Sequence, residues 1–191
     1  MAHGKPVTGP VVHGAQLGPG DVLIVTGTSD VAKLIEAGAI LVGDPAASHV
    51  AIYHHTDANG TPWAIEGRPG GVGWRDATDY DRDPRTVTNA EQHKSSAQRD
   101  TIGFYAEKLL GTSYDWLGGI AEDAMRALDL PSLWKPERDT GIVPAHVVCS
   151  SLAAWVYDRA GLDAPCPQDW RHCTPGAWAL WIAQQGWRPH A

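Results

Sequence analysis

The chain has 191 residues, 43% hydrophobic and 19% charged, with 15 Lys and Arg against 22 Asp and Glu and a net charge of −7. That length and apolar content fit one globular domain with a real core. An acidic chain without a Lys/Arg cluster argues against nucleic-acid binding by phosphate neutralisation, and three cysteines, an odd number, argue against a disulfide framework and fit a reducing compartment.

The opening "MAHGKPVTGPVVHG" lacks the apolar segment of a secretory signal. No stretch approaches the roughly 20 apolar residues of a membrane span. The expectation is a soluble protein, cytoplasmic or delivered by a phage particle or another route. Nine Trp against one Phe reads as coding bias, not as an aromatic binding strip.

In chain order, residues 1–19 are rich in Gly and Pro and read as an irregular arm, with a single domain over 20–191. "DVLIVTG" (Asp21 to Gly27) reads as a buried strand, short, apolar and β-branched with a glycine stop. Ser29 then caps a short helix through Ala37, with Gly38 past its end. "HVAIYHH" (His49 to His55) and "TPWAIEG" flank the turn "TDANG" and make a hairpin, and "GGVGWR" adds a third strand.

Thr88 and Glu91 have capping-box spacing ahead of a helical stretch that ends at Gly111. Leu117, Ile120, Ala121, Ala124 and Leu128 fall at helical spacing, followed by a Pro-rich loop. The next helix starts at Cys149, with Leu152, Trp155, Val156 and Ala160 on one apolar side and Gly161 at its end. In the last helix Thr174 and Pro175 take the N-cap and first helical positions.

Three of these elements carry chemistry. Side chains alternate along a strand, so His49, Ala51, Tyr53 and His55 share one side, while Val50 and Ile52 face a core. The returning strand ends at Glu66, within reach of His49 across a hairpin. Cys149 stands in the first turn of a helix, where unpaired N–H groups and the dipole favour a thiolate. Together they form a nucleophile, a base and an orienting carboxylate.

Plainer roles compete with each of these. Cys149 reads equally as a small buried hydrophobe, His49 as a hydrogen-bonded core or surface histidine, and Glu66 as a solvated strand-end carboxylate. His146 is the second candidate for the base, although an extended approach to the helix points it away. His54 and His55, adjacent on a strand, point to opposite faces and read as surface residues. Cys166, His172 and Cys173 lack zinc-ligand spacing and a fourth ligand. Asp21 and Asp44 read as turn or strand-entry residues.

"SHVAIY", "AIEGRPGGV", "GTSYDW", "VVCSSLAAWVYDRAGL" and "CTPGAW", in that order, resemble the circularly permuted papain-like hydrolases. These form the YiiX/YebB-like branch of the NlpC cell-wall peptidase superfamily, which is related to the lecithin–retinol acyltransferases. In that branch the histidine strand precedes the cysteine helix, as it does here.

The resemblance implies an α+β, permuted papain-like (NlpC-type) fold, a small antiparallel sheet packed against helices. It implies a cysteine-dependent amide hydrolase, a peptidase or amidase working through an acyl-enzyme on bacterial cell-wall peptides. Cys149 would be the nucleophile, His49 the general base and Glu66 the orienter, with Tyr53 on the pocket or oxyanion side and Tyr114 lining the cleft. No metal or organic cofactor is implied. Bulky Trp155 and Tyr157 would narrow the site. A lipid-directed acyltransferase or thioesterase, and a non-catalytic phage or virion assembly module, remain open on the same fold.

Overall fold

A computed structural model describes residues 11–12, 15–27, 30–41, 43–81, 86–114, 144–166 and 169–187. The expected Ser29 cap, the helix from Leu117 to Leu128 and most of the Pro-rich loop lie outside them. In the N-terminal arm, β1 (Val11–Val12) pairs antiparallel with β2 (Ala15–Gln16).

The central sheet has five strands in the order β6-β5-β4-β3-β7, every neighbouring pair antiparallel. They are β3 (Val22–Val25), β4 (His49–Thr56), β5 (Pro62–Arg68), β6 (Gly71–Asp76) and β7 (Val87–Thr88). Helix α1 (Asp30–Leu41) connects β3 to β4, and the short α2 (Thr78–Asp81) follows β6. Then come α3 (Ser96–Lys108), β8 (Ser113–Tyr114), β9 (His146–Val147), α4 (Cys149–Arg159), a 3-10 turn at Trp170–His172 and α5 (Pro175–Gln184). This is a mixed α+β fold with open sheets packed against helices.

Period-two patterning divides the sheet between two cores. Val22, Ile24, Val50, Ile52 and Ile65 pack with Ile102 of α3, Leu152 and Trp155 of α4, and Trp178 of α5. Leu23, Val25, Ala51, Tyr53 and Ala64 form the opposite face with Leu17, Ala77 and Tyr80. The strands are therefore buried on both sides, which is why β3 is a continuous apolar run without alternation.

Helix α4 is buried from Cys149 through Tyr157, so it is a central element and lacks the one-sided apolar stripe expected for it. Trp155 and Tyr157 are fully buried and do not narrow a site. Trp155 packs edge-on against Tyr105, and the Tyr157 hydroxyl donates to the Gly20 carbonyl at 2.6 Å and accepts from Asn89 at 2.8 Å. Asp21, read as a turn residue, does accept from Gly18 N at 2.7 Å, and it also binds buried Lys94 at 2.8 Å and Arg99 at 3.0 Å. A buried carboxylate needs such partners, because its desolvation is otherwise unmatched.

Other boundaries differ from expectation. The capping box of α3 is Ser95 with Gln98: Gln98 N donates to Ser95 Oγ at 3.2 Å, and Ser95 N donates to Gln98 Oε1 at 2.9 Å. Thr88 instead pairs with Leu23 in β7. Helix α1 continues past Gly38 to Leu41. Thr174 does cap α5, its hydroxyl accepting from Ala177 N at 2.9 Å with Pro175 following. His54 and His55 are not on opposite faces: a β-bulge between Tyr53 and His55 brings their Nδ1 atoms to 2.9 Å, and both rings meet Trp74 edge-on.

Candidate functional site

The register of β4 and β5 builds the first half of the site. Ala51 pairs with Glu66, so His49, two residues before Ala51, is a diagonal neighbour of Glu66 on the same face. His49 Nε2 lies 2.6 Å from Glu66 Oε2. By the same register Arg68 falls opposite His49. Its Nε donates to Glu66 Oε1, and its Nη2 lies 3.3 Å from the Tyr80 hydroxyl, which itself donates to Glu66 Oε2. The carboxylate is thus surrounded by three donors, with its side chain only 4% exposed.

The second half comes from α4. Its N-cap is Val148, in extended conformation, and no side chain caps the helix. An apolar residue stands where Ser, Thr, Asp or Asn would bond the first N–H groups. Ser151 Oγ instead accepts from Val148 N at 3.0 Å. The positive end of the helix is left to the Cys149 sulfur.

Gly67 makes the approach possible. A Cβ there would lie 2.8 Å from the Tyr114 ring and 3.6 Å from Cys149 N, so only a bare backbone lets both come this close to β5. Tyr114 itself is positioned by β8, which runs parallel to β9 with Tyr114 beside Val147, just before the cysteine helix.

The electrostatics follow from this packing. Burial alone would lower the His49 pKa, but the Cys149 thiolate and the Glu66 carboxylate outweigh it and raise the imidazole from 6.5 to about 9. Burial alone would raise the Cys149 pKa. The His49 charge and hydrogen bond, the Val50 N–H and the Tyr114 hydroxyl together lower it. Burial likewise opposes ionisation of Glu66, yet hydrogen bonds and charge from His49, then Tyr80 and Arg68, bring it from 4.5 to about 2. Tyr114 is held protonated, by burial first and then by the neighbouring thiolate. With Nε2 facing Glu66, Nδ1 of His49 is left for the sulfur. The arrangement favours a charged thiolate–imidazolium pair more than an isolated thiol and imidazole would.

Sequence reasoning placed Cys149, His49 and Glu66 in one set, and these three are brought together. Tyr114 is also at the sulfur. Tyr53 is not: it is 1% exposed in the second core, its hydroxyl 2.8 Å from Thr56 Oγ1. His146 is exposed on β9. Arg68, Tyr80 and Gly67 were missed. Arg68 was recoverable, since it lies two residues after Glu66 and shares its face.

No family model and no curated protein matches the chain. Among solved structures it is similar to one described as the metalloprotein yiiX from Escherichia coli O157:H7, DUF1105, with TM-score 0.50 and 18% identity. The match covers 74% of this chain and 65% of that chain, so this chain spans less than two thirds of that relative's length. The two share a fold, distantly. At such identity a fold is compatible with many chemistries.

This corrects the functional expectation. The cysteine peptidase or amidase, its acyl-enzyme and its wall-peptide substrate all rested on resemblance, and this fold relative is described as a metalloprotein. The likeness conveys a fold and no peptidase activity. Among the described residues no group of three or more His, Cys, Asp and Glu side chains is arranged to hold a metal ion. Among them, too, no helix is long and apolar enough to cross a membrane.

Proposed function

We propose that Cys149 serves as a thiolate nucleophile toward an electrophilic group, with His49 as its proton partner, Glu66 fixing the imidazole, and Tyr114 donating to the sulfur. The sulfur forms the new bond, the electrophile's leaving group departs, and the His49 Nδ1 proton is available to it. The function is thiol-dependent group transfer onto Cys149. It does not extend to cleavage of an amide.

One observation supports this reading: the imidazole that lies 2.6 Å from Glu66 also hydrogen-bonds the Cys149 side chain, which belongs to the first residue of a helix with no side-chain cap. An inert core cysteine has no use for a charged pair beside it, and burial alone would push its pKa upward. Metal binding, suggested by the fold relative's description, does not fit the same residues. The Glu66 carboxylate is already held by Arg68 and Tyr80, and no ligand set is present among the described residues. No step is assigned to a metal.

The test is the pH profile of Cys149 alkylation by iodoacetamide, resolved by site because Cys166 and Cys173 are also thiols. Its midpoint should fall below the ordinary thiol value of about 8.5. His49→Ala should move it upward, leaving the helix field and the two remaining donors. A midpoint at or above the ordinary value, insensitive to His49, would overturn the reading.

A further inference from the structure

Arg68 adds a second cation to a site where protonated His49 already balances Glu66. With the Cys149 thiolate present, the cluster of Cys149, Glu66, His49 and Arg68 is neutral. Once the thiolate is consumed in a covalent bond and the leaving group departs as a stable anion, so that His49 keeps its proton, the cluster carries a net positive charge. Arg68 is the member open to solvent, its side chain 46% exposed against 14% for His49 and 4% for Glu66.

The guanidinium is also oriented in advance. Nε is committed to Glu66 and Nη2 leans on the Tyr80 hydroxyl, so the planar group is held from one side while Nη1 has no hydrogen-bond partner among the described residues. Among the described residues Glu66 is its only carboxylate partner. A fixed guanidinium with spare donors suits a planar or tetrahedral oxyanion. It also stands out in a chain of net charge −7, whose overall field disfavours anions.

We propose that Arg68 receives an anionic group, a carboxylate, sulfonate or phosphate, on the molecule that reacts at Cys149. This rests on the reactive thiolate proposed above and names its substrate class. Bonding of that group to Arg68 restores neutrality to the cluster as the sulfur loses its charge.

The test compares two reagents of matched chemistry and opposite charge, 2-sulfonatoethyl and 2-trimethylammonioethyl methanethiosulfonate. In each the thiolate attacks the sulfenyl sulfur, a mixed disulfide forms and methanesulfinate leaves, so no added oxidant is needed. Site-resolved mass spectrometry gives the rate at Cys149 for each. Both rates scale with the same thiolate fraction, so their ratio reads local charge alone.

Relative to the unfolded chain, the folded protein should favour the anionic reagent by about tenfold at low ionic strength. Arg68→Gln should remove most of that preference and Arg68→Lys should keep it. Arg75→Gln, which removes an exposed cation paired with Asp79, should leave it unchanged.

A ratio untouched by Arg68→Gln, or lowered as much by Arg75→Gln, overturns the proposal. If Arg68→Gln does not fold, the wild-type protein decides: a preference for the cationic reagent overturns it. Failure of the thiolate reading looks different, since neither reagent would then react quickly at Cys149 below pH 8.

Discussion

Glu66 Oε2 stands 2.6 Å from His49 Nε2, and the same carboxylate also accepts from Tyr80 and Arg68. A carboxylate held from three directions fixes the imidazole ring and the charge on it together. Glu66→Gln separates these roles, because an amide can hydrogen-bond the ring but cannot stabilise its positive form. We expect the pH midpoint of Cys149 alkylation to rise by about one unit, or roughly a tenfold loss of rate at pH 6. Glu66→Ala should shift it further. An unchanged profile in Glu66→Gln would mean that the carboxylate charge does not reach the sulfur.

Stability should depend on pH at the acid end of the range. Glu66 is held near 2 in the fold against 4.5 without it, so its contribution is present above about 4.5 and is lost as pH falls towards 2. His49 is raised from 6.5 to about 9, so its contribution is complete below 6.5 and is lost as pH rises through about 9. Urea midpoints should therefore decline as pH falls from about 4.5 towards 2, whereas the loss from His49 between 6.5 and 9 is offset by Cys149, whose lowered pKa adds stability as pH rises. The acid limb is worth on the order of 3 kcal/mol. Glu66→Gln should flatten that limb, and a limb unchanged by it would assign the acid loss elsewhere.

Gly67→Ala tests the close approach at β5. Its new methyl would stand 2.8 Å from the Tyr114 ring, so the ring or the strand must move. The expected cost is roughly 1–3 kcal/mol, with slower Cys149 alkylation as the Tyr114 donor is displaced. In a Tyr114→Ala background the same substitution should cost far less, a coupling that a double-mutant cycle measures directly. Additive effects would show that the contact between the two positions is not what requires glycine.

Much of this was readable from residue order, for identifiable reasons. The β3, β4, β5 and β6 segments announce themselves by β-branched runs and turn residues, and strand parity together with the hairpin between β4 and β5 brings His49 and Glu66 to one face. The α3 start was misplaced because Thr88-x-x-Glu91 and Ser95-x-x-Gln98 have the same spacing. Only the pairing of Thr88 with Leu23 decides between them. A bulge leaves no periodic trace, so the meeting of His54 and His55 was hidden. Tyr80 sits in a four-residue helix, too short for any pattern, and reaches Glu66 only by tertiary packing. The peptidase expectation came from resemblance, and resemblance at this distance conveys backbone shape better than reaction.

The sulfur and the imidazole come from segments far apart along the chain, with β4, β5 and β6 laid down well before α4. Neither segment alone supplies both the helix field and the imidazole charge. Until the chain folds and brings them together, Cys149 has ordinary acidity and is mostly protonated at neutral pH. The proton thus serves as a protecting group that tertiary closure removes. A growing chain, or one opened by heat, carries a comparatively latent thiol, so loss of the fold should also reduce off-target reaction at this cysteine.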